Sequence, residues 1–361
     1  MRQFILLISG CVSGFAADTV YIGGITARGR DVVEQTRGVL RALDDALDSA
    51  KLTRAHVVST NVYLTDLRLL HAADVEYRKY FRQAYPARTV LQASIDPPDA
   101  RIAISAVATR DLAARKVIHP PGWTAPAQPS THAVLAGDTL FFSGGVPINP
   151  RDNSFAGDTI HEQVDQVMRN QEDLLKAAGL TFADLVFTRI HLANPADYAG
   201  LNDVYRKFVV APPPARATVG GFPIQPGHLI QLQSLAVRGS GLNRPSGEGH
   251  TSPIHSFSVR AGRRLFITGM TGRVPDGGYA RNDIAEQTRQ ALATIEEQLS
   301  RHNMTFADVI DSVVWLRDVR LASGMDEVYR RIVKGKHART VVGVPPTSFD
   351  ALVEIMMIAG L

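Results

Sequence analysis

The segment Pro214-Ala215-Arg216-Ala217-Thr218-Val219 occurs three times in this 361-residue chain. The other copies are Pro86-Ala87-Arg88-Thr89-Val90-Leu91 and His337-Ala338-Arg339-Thr340-Val341-Val342, with the arginines 128 and 123 residues apart. Other markers recur in the same order at nearly the same spacing. They include Glu34-Gln35, Glu162-Gln163 and Glu286-Gln287, then Tyr77-Arg78, Tyr205-Arg206 and Tyr329-Arg330. Phe182-Ala183-Asp184 returns as Phe306-Ala307-Asp308. A repeat this long is a domain rather than a solenoid turn, so each unit can hold its own core.

The units share one pattern of elements. A short apolar strand runs into glycine at Val20–Gly24, Leu140–Gly145 and Leu265–Gly269. A helix follows, in which Val33, Leu40, Leu43 and Leu47 keep a helical period in the first copy. Val57–Leu64, Leu185–Leu192 and Val309–Leu316 are rich in β-branched residues and read as strands. Thr65-Asp66, Ala193-Asn194 and Arg317-Asp318 then suit the start of a second helix, which carries the repeated tyrosine. The arginine segment opens a strand, a turn follows, and Arg101–Ala108, Leu229–Ala236 and Leu352–Ala359 close the units. His132–Leu135 and His255–Arg260 read as an extra leading strand, for which the first copy has little room. The resulting order, β-α-β-α-β-β, is an α+β layer with two helices on one sheet. The units are 18–112, 129–238 and 253–361, joined by Pro- and Gly-bearing connections at 113–128 and 239–252 that read as exposed.

With Ser143-Gly144-Gly145, Glu162-Gln163, Thr181-Phe182-Ala183-Asp184, Tyr205-Arg206 and Pro214-Ala215-Arg216 in this order, the sequence resembles the RidA family, also called YjgF and historically L-PSP endoribonuclease. The resemblance extends from about Asp18 to Leu361 in three copies. It implies the chorismate-mutase-like α+β fold, which in that family assembles as a homotrimer with sheets inside, helices outside and ligand clefts between subunits. Three fused copies then imply an intramolecular pseudo-trimer, monomeric as a chain, whose linkage replaces association.

The resemblance also implies chemistry. The family hydrolyses enamines and imines to 2-oxo acids and ammonia. An arginine holds the substrate carboxylate, for which the planar guanidinium fork is suited. That arginine corresponds to Arg88, Arg216 and Arg339; an ion pair between units is their plainer role. The family's water-positioning glutamate aligns with Ser105, Gln233 and Met356, none of them a carboxylate, while Glu354 lies two residues early on the same strand face. Gln233 can hold water but cannot act as a base. The leading-strand tyrosine aligns with Ser130 and His255, and His255 titrates near neutrality. Ser143 and Thr268 keep a hydroxyl where Gly23 has none, and Thr218 replaces a cysteine. On this alignment the second copy collects Ser143, Arg216, Thr218 and Gln233, and the third collects His255, Thr268, Arg339 and Glu354. Three readings stay open: an imine or enamine hydrolase, a binding protein that has lost the water-handling group, and a divergent relative of the chorismatases.

The resemblance implies a small carboxylate-bearing metabolite as partner, and composition favours no other class. The net charge of +4 is small, and no basic stripe with aromatics favours nucleic acid. One cysteine, Cys11, rules out a disulfide framework or a Cys-rich metal site, and the histidines show no metal-ligand pair; no cofactor or metal is implied. Nothing is long and apolar enough for a membrane span. Residues 1–17 read either as an export signal, placing the protein in the periplasm or outside the cell, or as the first strand of a cytoplasmic domain.

Overall fold

A computed structural model describes residues 13–16, 18–83, 85–221, 225–240 and 252–360. The first unit contains β1 (Ser13–Ala16), β2 (Thr19–Ile25), α1 (Val32–Ser49), β3 (Val57–Leu64), α2 (Leu70–Phe81), β4 (Ala87–Gln92) and β5 (Ile102–Thr109). The second has β6 (Arg115–Ile118), β7 (Ala133–Ala136), β8 (Thr139–Phe142), α3 (Ile160–Ala177), β9 (Leu185–Leu192), α4 (Tyr198–Tyr205), β10 (Ala215–Gly220) and β11 (Ile230–Val237). The third has β12 (Ser258–Ala261), β13 (Arg264–Thr271), α5 (Ile284–Arg301), β14 (Val309–Leu316), α6 (Ala322–Ile332), β15 (Ala338–Gly343) and β16 (Val353–Gly360).

The sheet orders are β1-β2-β5-β3-β4, β10-β9-β11-β8-β7-β6 and β12-β13-β16-β14-β15. In each sheet the strand bearing the repeated arginine pairs in parallel with the central strand, as in Thr188 opposite Arg216. It forms the end of its sheet and abuts the next unit. Ala87 bridges to Thr131, Ala215 to Ser256, and Ser94 to Gly343, so the three units close a ring. One face of each sheet is covered by its own helices. The other faces meet in a shared core of Tyr21, Tyr63, Phe187, Phe266, Trp315 and Met356.

The repeated sequence markers hold each unit together. Asp31, Thr159 and Asp283 cap α1, α3 and α5 by accepting the amides of Glu34, Glu162 and Glu286. The neighbouring glutamines are buried. Gln163 donates to the carbonyls of Gly157 and Gly227 and accepts from the amide of Leu229, tying helix, turn and last strand together. Gln35 and Gln287 do the same in their units. The tyrosine hydroxyls of Tyr77, Tyr205 and Tyr329 bond to Thr60, Thr188 and Ser312 on the central strands.

Two expectations are corrected. The first unit does have a leading strand, because Ser13–Ala16 pairs antiparallel with Thr19–Ile25. The connection at 113–128 is not simply exposed. Arg115–Ile118 adds a sixth strand to the second sheet, and Trp123 packs into the core there. Most of the 1–17 segment read as an export signal, and residues 241–251 of the second connection, lie outside the described residues.

Candidate functional site

Three clefts form where an arginine-bearing edge strand meets the following unit. At the first, the Arg88 amide donates to Ser143 Oγ at 2.8 Å and the Gly144 amide donates to the Arg88 carbonyl at 3.1 Å. At the second, the Arg216 amide donates to Thr268 Oγ1 at 2.9 Å, and that hydroxyl donates back to the Arg216 carbonyl. At the third, Gly23 stands where a Cβ would lie 2.5 Å from the carbonyl oxygen and 2.6 Å from the amide nitrogen of Arg339. Thr268, expected to bind substrate, thus spends its hydroxyl on the backbone of the preceding unit, whereas Ser143, likewise expected to bind substrate, accepts from that backbone and donates to the Thr131 carbonyl of its own unit.

The guanidinium groups all lie over the tyrosine of their own second helix, 4.2 Å from Tyr77, 4.8 Å from Tyr205 and 4.8 Å from Tyr329. Their charges meet different fates. Arg339 forms a forked pair with Asp326 on α6, at 2.7 and 3.2 Å. Arg88 Nη2 lies 2.6 Å from Asp74 Oδ1 on α2, a close ion pair whose angles fall outside hydrogen-bond geometry. Asp74 and Asp326 both stand three residues before the repeated tyrosine, where the second unit has Asn202. Arg216 therefore lacks the matching carboxylate. Its Nε donates to Thr218 Oγ1 at 2.8 Å, while Nη1 and Nη2 are buried without hydrogen-bond partners. The Asn202 Oδ1 is likewise buried and unpartnered. Burial pushes the Arg216 pKa below its ordinary value. Tyr198, partly exposed, places its ring 5.5 Å from this guanidinium.

Glu354 belongs to this second cleft. Its side chain is buried near the Thr218 backbone amide and lies so close to Gly269 that a Cβ there would overlap the carboxylate. Burial pushes its pKa up to about 8, against the opposing pull of that amide and of the Arg216 charge. Arg216 and Thr218 of the second unit thus meet Thr268 and Glu354 of the third. The two sets read copy by copy from the sequence are regrouped across the interface.

The strand register also needs correction. Met356 lies in the shared central core, and Gln233 donates to Asn61 at 2.9 Å beside Ser105. These three positions face the molecular axis. The residue two earlier sits at the interunit cleft: Glu354, Gln231 or Ala103. Gln231 Nε2 lies 2.7 Å from where a Gly144 Cβ would stand, and Ala103 lines the third cleft. Both positions face inward, so alternation alone could not separate cleft from axis. His255 is partly buried near the second cleft, where neighbouring Ser256 bridges Ala215; its Nδ1 is 3.1 Å from Ser252 Oγ. Sequence reasoning missed Asn202, Asp74, Asp326 and Gln231. The signal for the first three was available by comparing the copies three residues before the tyrosine.

The first and third clefts open into cavities of about 400 and 390 Å³. On the axis, Arg189 and Asp311 approach to 3.9 Å, and burial raises the Asp311 pKa to about 6. Among the described residues no group of three or more His, Cys, Asp or Glu could hold a metal ion, and no helix is long and apolar enough to cross a membrane.

The sequence profile of the family described as Endoribonuclease L-PSP matches residues 11–110, 123–238 and 250–361. Reactive Intermediate Deaminase A, chloroplastic, from Arabidopsis thaliana is 32% identical over 40% of this chain and 74% of its own length. A 2-iminobutanoate/2-iminopropanoate deaminase from Dermatophagoides farinae is 29% identical over 35% of this chain and 98% of its own. A solved chorismatase superposes on 85% of this chain and 93% of its own with a TM-score of 0.53 at 15% identity, a likeness of fold across all three units.

Proposed function

The chain belongs to the Endoribonuclease L-PSP family, and on that premise we propose that it hydrolyses small carboxylated imines or enamines to 2-oxo acids and ammonia at a single cleft, between its second and third units. One observation carries the reading: Arg216 alone among the three arginines faces an asparagine instead of an aspartate, and its buried charge lies beside Glu354. A substrate carboxylate supplies the missing partner for Nη1 and Nη2. Thr218 holds Nε and fixes the plane of the fork.

Glu354 supplies proton transfer. Near pH 7 its raised pKa leaves the carboxyl mostly protonated. It gives that proton to the imine nitrogen as a water oxygen bonds to the carbon, and it takes back the proton the water loses. In the carbinolamine the C–N bond then breaks, the nitrogen leaves as ammonia with a proton from Glu354, and the hydroxyl proton returns to the carboxylate as the carbonyl forms. An enamine enters the same sequence after protonation on carbon. The ribonuclease in the family's description is not carried over. The unneutralised cation is buried, out of reach of a polyanion that must keep its own phosphates solvated.

The test is ammonia release from 2-iminopropionate generated in situ by an amino-acid oxidase. Wild type accelerates it, Arg216→Ala and Glu354→Gln lose roughly 10²–10⁴-fold, and Arg88→Ala and Arg339→Ala retain the rate if folded. No acceleration by wild type, or equal losses in all three arginine variants, overturns the proposal.

A further inference from the structure

The three copies also diverge on the molecular axis. Asn61, Arg189 and Val313 hold equivalent places on the central strands, opposite Thr89, Ala217 and Thr340 of the arginine-bearing strands. Only the second unit puts a cation there. In a trimer of identical chains this position would bring three like charges together; the fused copies carry one.

Arg189 is buried, and its guanidinium lies 4.8 Å from the ring of Phe187 and 5.9 Å from that of Trp315. Its Nε is buried without a partner. The Asp311 carboxylate comes no nearer than 3.9 Å, beyond hydrogen-bond reach. Among the described residues, none accepts a hydrogen bond from this guanidinium. Arg189 and Asp311 both line a cavity of about 30 Å³. One water needs about 10–15 Å³ of such space, so a larger single occupant fits. Tyr21 lines it too, and its hydroxyl is buried and unpartnered. Asn61 and Gln233, also in the wall, are bonded to each other, and Asn61 is bonded to Ser105. The groups left over are therefore donors, from Arg189 and Tyr21, opposed by a single carboxylate. A guanidinium carries five N–H donors, more than one water can accept from.

The charge that the cavity can hold turns on Asp311. Burial raises its pKa to about 6 against the pull of Arg189. The other titratable groups near the pair stay in one state. Burial pushes Tyr21 and Tyr329 up, and Tyr63 up to about 12, so all three are neutral. Burial and the Arg189 charge depress His191 to about 3, which leaves its ring neutral. Arg264, near Tyr21, pairs with Asp138 at 3.0 Å. Protonation of Asp311 therefore leaves Arg189 as a buried cation without a counter-charge, and a small anion restores the balance.

We propose that the axial cavity is a site for one small monovalent anion of halide size, held by Arg189 and taken up together with a proton on Asp311. This site is separate from the Arg216 cleft and does not depend on the hydrolytic reading.

Bromide is the probe, because it scatters anomalously and quenches tryptophan. The chain has two tryptophans, so Trp123→Phe leaves Trp315 as the reporter near Arg189. At pH 5.5 bromide is expected to quench it saturably, with chloride competing and gluconate not. Crystals grown in bromide at that pH are expected to show an anomalous peak between Arg189 and Asp311. Raising the pH from 6.5 to 7.5 should weaken binding about tenfold, because each anion brings one proton. Asp311→Asn is expected to bind as tightly at pH 7.5 as at pH 5.5, and Arg189→Met to bind at neither. Should Arg189→Met fold poorly, the pH dependence of wild type against Asp311→Asn decides. No axial peak at pH 5.5, an affinity in wild type that does not change with pH, or undiminished binding in folded Arg189→Met overturns the proposal.

Discussion

Asn202→Asp is the sharpest perturbation of the Arg216 cleft. It adds one charge at the position that Asp74 and Asp326 occupy opposite their own arginines. In the third unit that carboxylate reaches the guanidinium at 2.7 Å. Two unit charges with centres about 4 Å apart attract by about 4 kcal/mol at an effective dielectric of 20. Arg216 is already desolvated, so the new pair must meet only the carboxylate's own desolvation cost. A substrate or product carboxylate must displace this internal partner, which weakens binding roughly a thousandfold. The assay is calorimetric titration with pyruvate, the 2-oxo acid product, together with the melting temperature. Asn202→Asp is expected to lose pyruvate binding and melt higher than wild type. Asn202→Ala keeps Arg216 without a carboxylate and is expected to bind. Pyruvate affinity unchanged in folded Asn202→Asp would refute the claim that a free guanidinium defines the working cleft.

Three further outcomes follow from the same geometry. Glu354 has a folded pKa of about 8 against an ordinary 4.5, so its contribution to stability is fully present below pH 4.5 and is lost as pH rises towards 8. Glu354→Gln should therefore gain in melting temperature relative to wild type between pH 5 and pH 8; a constant difference across that window would contradict the raised pKa. Gly269→Ala places a methyl group against the Glu354 carboxylate and Ala217, and is expected to cost about 1–3 kcal/mol in urea unfolding and to impair hydrolysis. Gln163→Leu breaks bonds to Gly157, Gly227 and Leu229 and should cost about 2–4 kcal/mol with little direct effect on ligand affinity, readable as a lower urea midpoint.

The fold was legible because several constraints coincided at each position. Val57–Leu64, Leu185–Leu192 and Val309–Leu316 are central strands covered on both faces, so their β-branched runs have distinct ends. The first helix was legible from the period of Val33, Leu40, Leu43 and Leu47 rather than from Asp31, which caps it as Thr159 and Asp283 cap its counterparts. The leading strand of the first unit was hidden because Ser13–Ala16 shares its composition with a small-residue cleavage region. Within the site, the arginines stand out in each copy, whereas their partners emerge only when the three copies are compared three residues before the tyrosine. Whether Arg216 is neutralised depends on Asn202, 14 residues earlier on another element, and only the folded arrangement brings helix and strand together. Glu354 was displaced by a register error of two residues, the smallest error that preserves the inward face.

Covalent linkage makes this division possible. In a trimer of identical chains, an aspartate at the Asn202 position would neutralise all three arginines at once. Here the three positions are encoded separately, and the chain carries Asp74, Asn202 and Asp326. Asp74 and Asp326 each pair with the arginine of their own unit, and on the proposed reading this withdraws that arginine from ligand binding. The Arg216 cleft remains the uncompensated one, with two guanidinium nitrogens and the Asn202 oxygen buried and unpaired. Such groups lower stability unless binding uses them. The opposite exchange, Asp326→Asn, should therefore lower the melting temperature and create weak pyruvate binding at the third cleft, but no hydrolysis, because the Glu354 position there is Ala103. Adding Ala103→Glu is the step that separates anion binding from proton transfer. Turnover in that double variant, made with Arg216→Ala to silence the native cleft, would show that two residues beyond the arginine make a cleft catalytic. Binding without turnover would show that the two are insufficient.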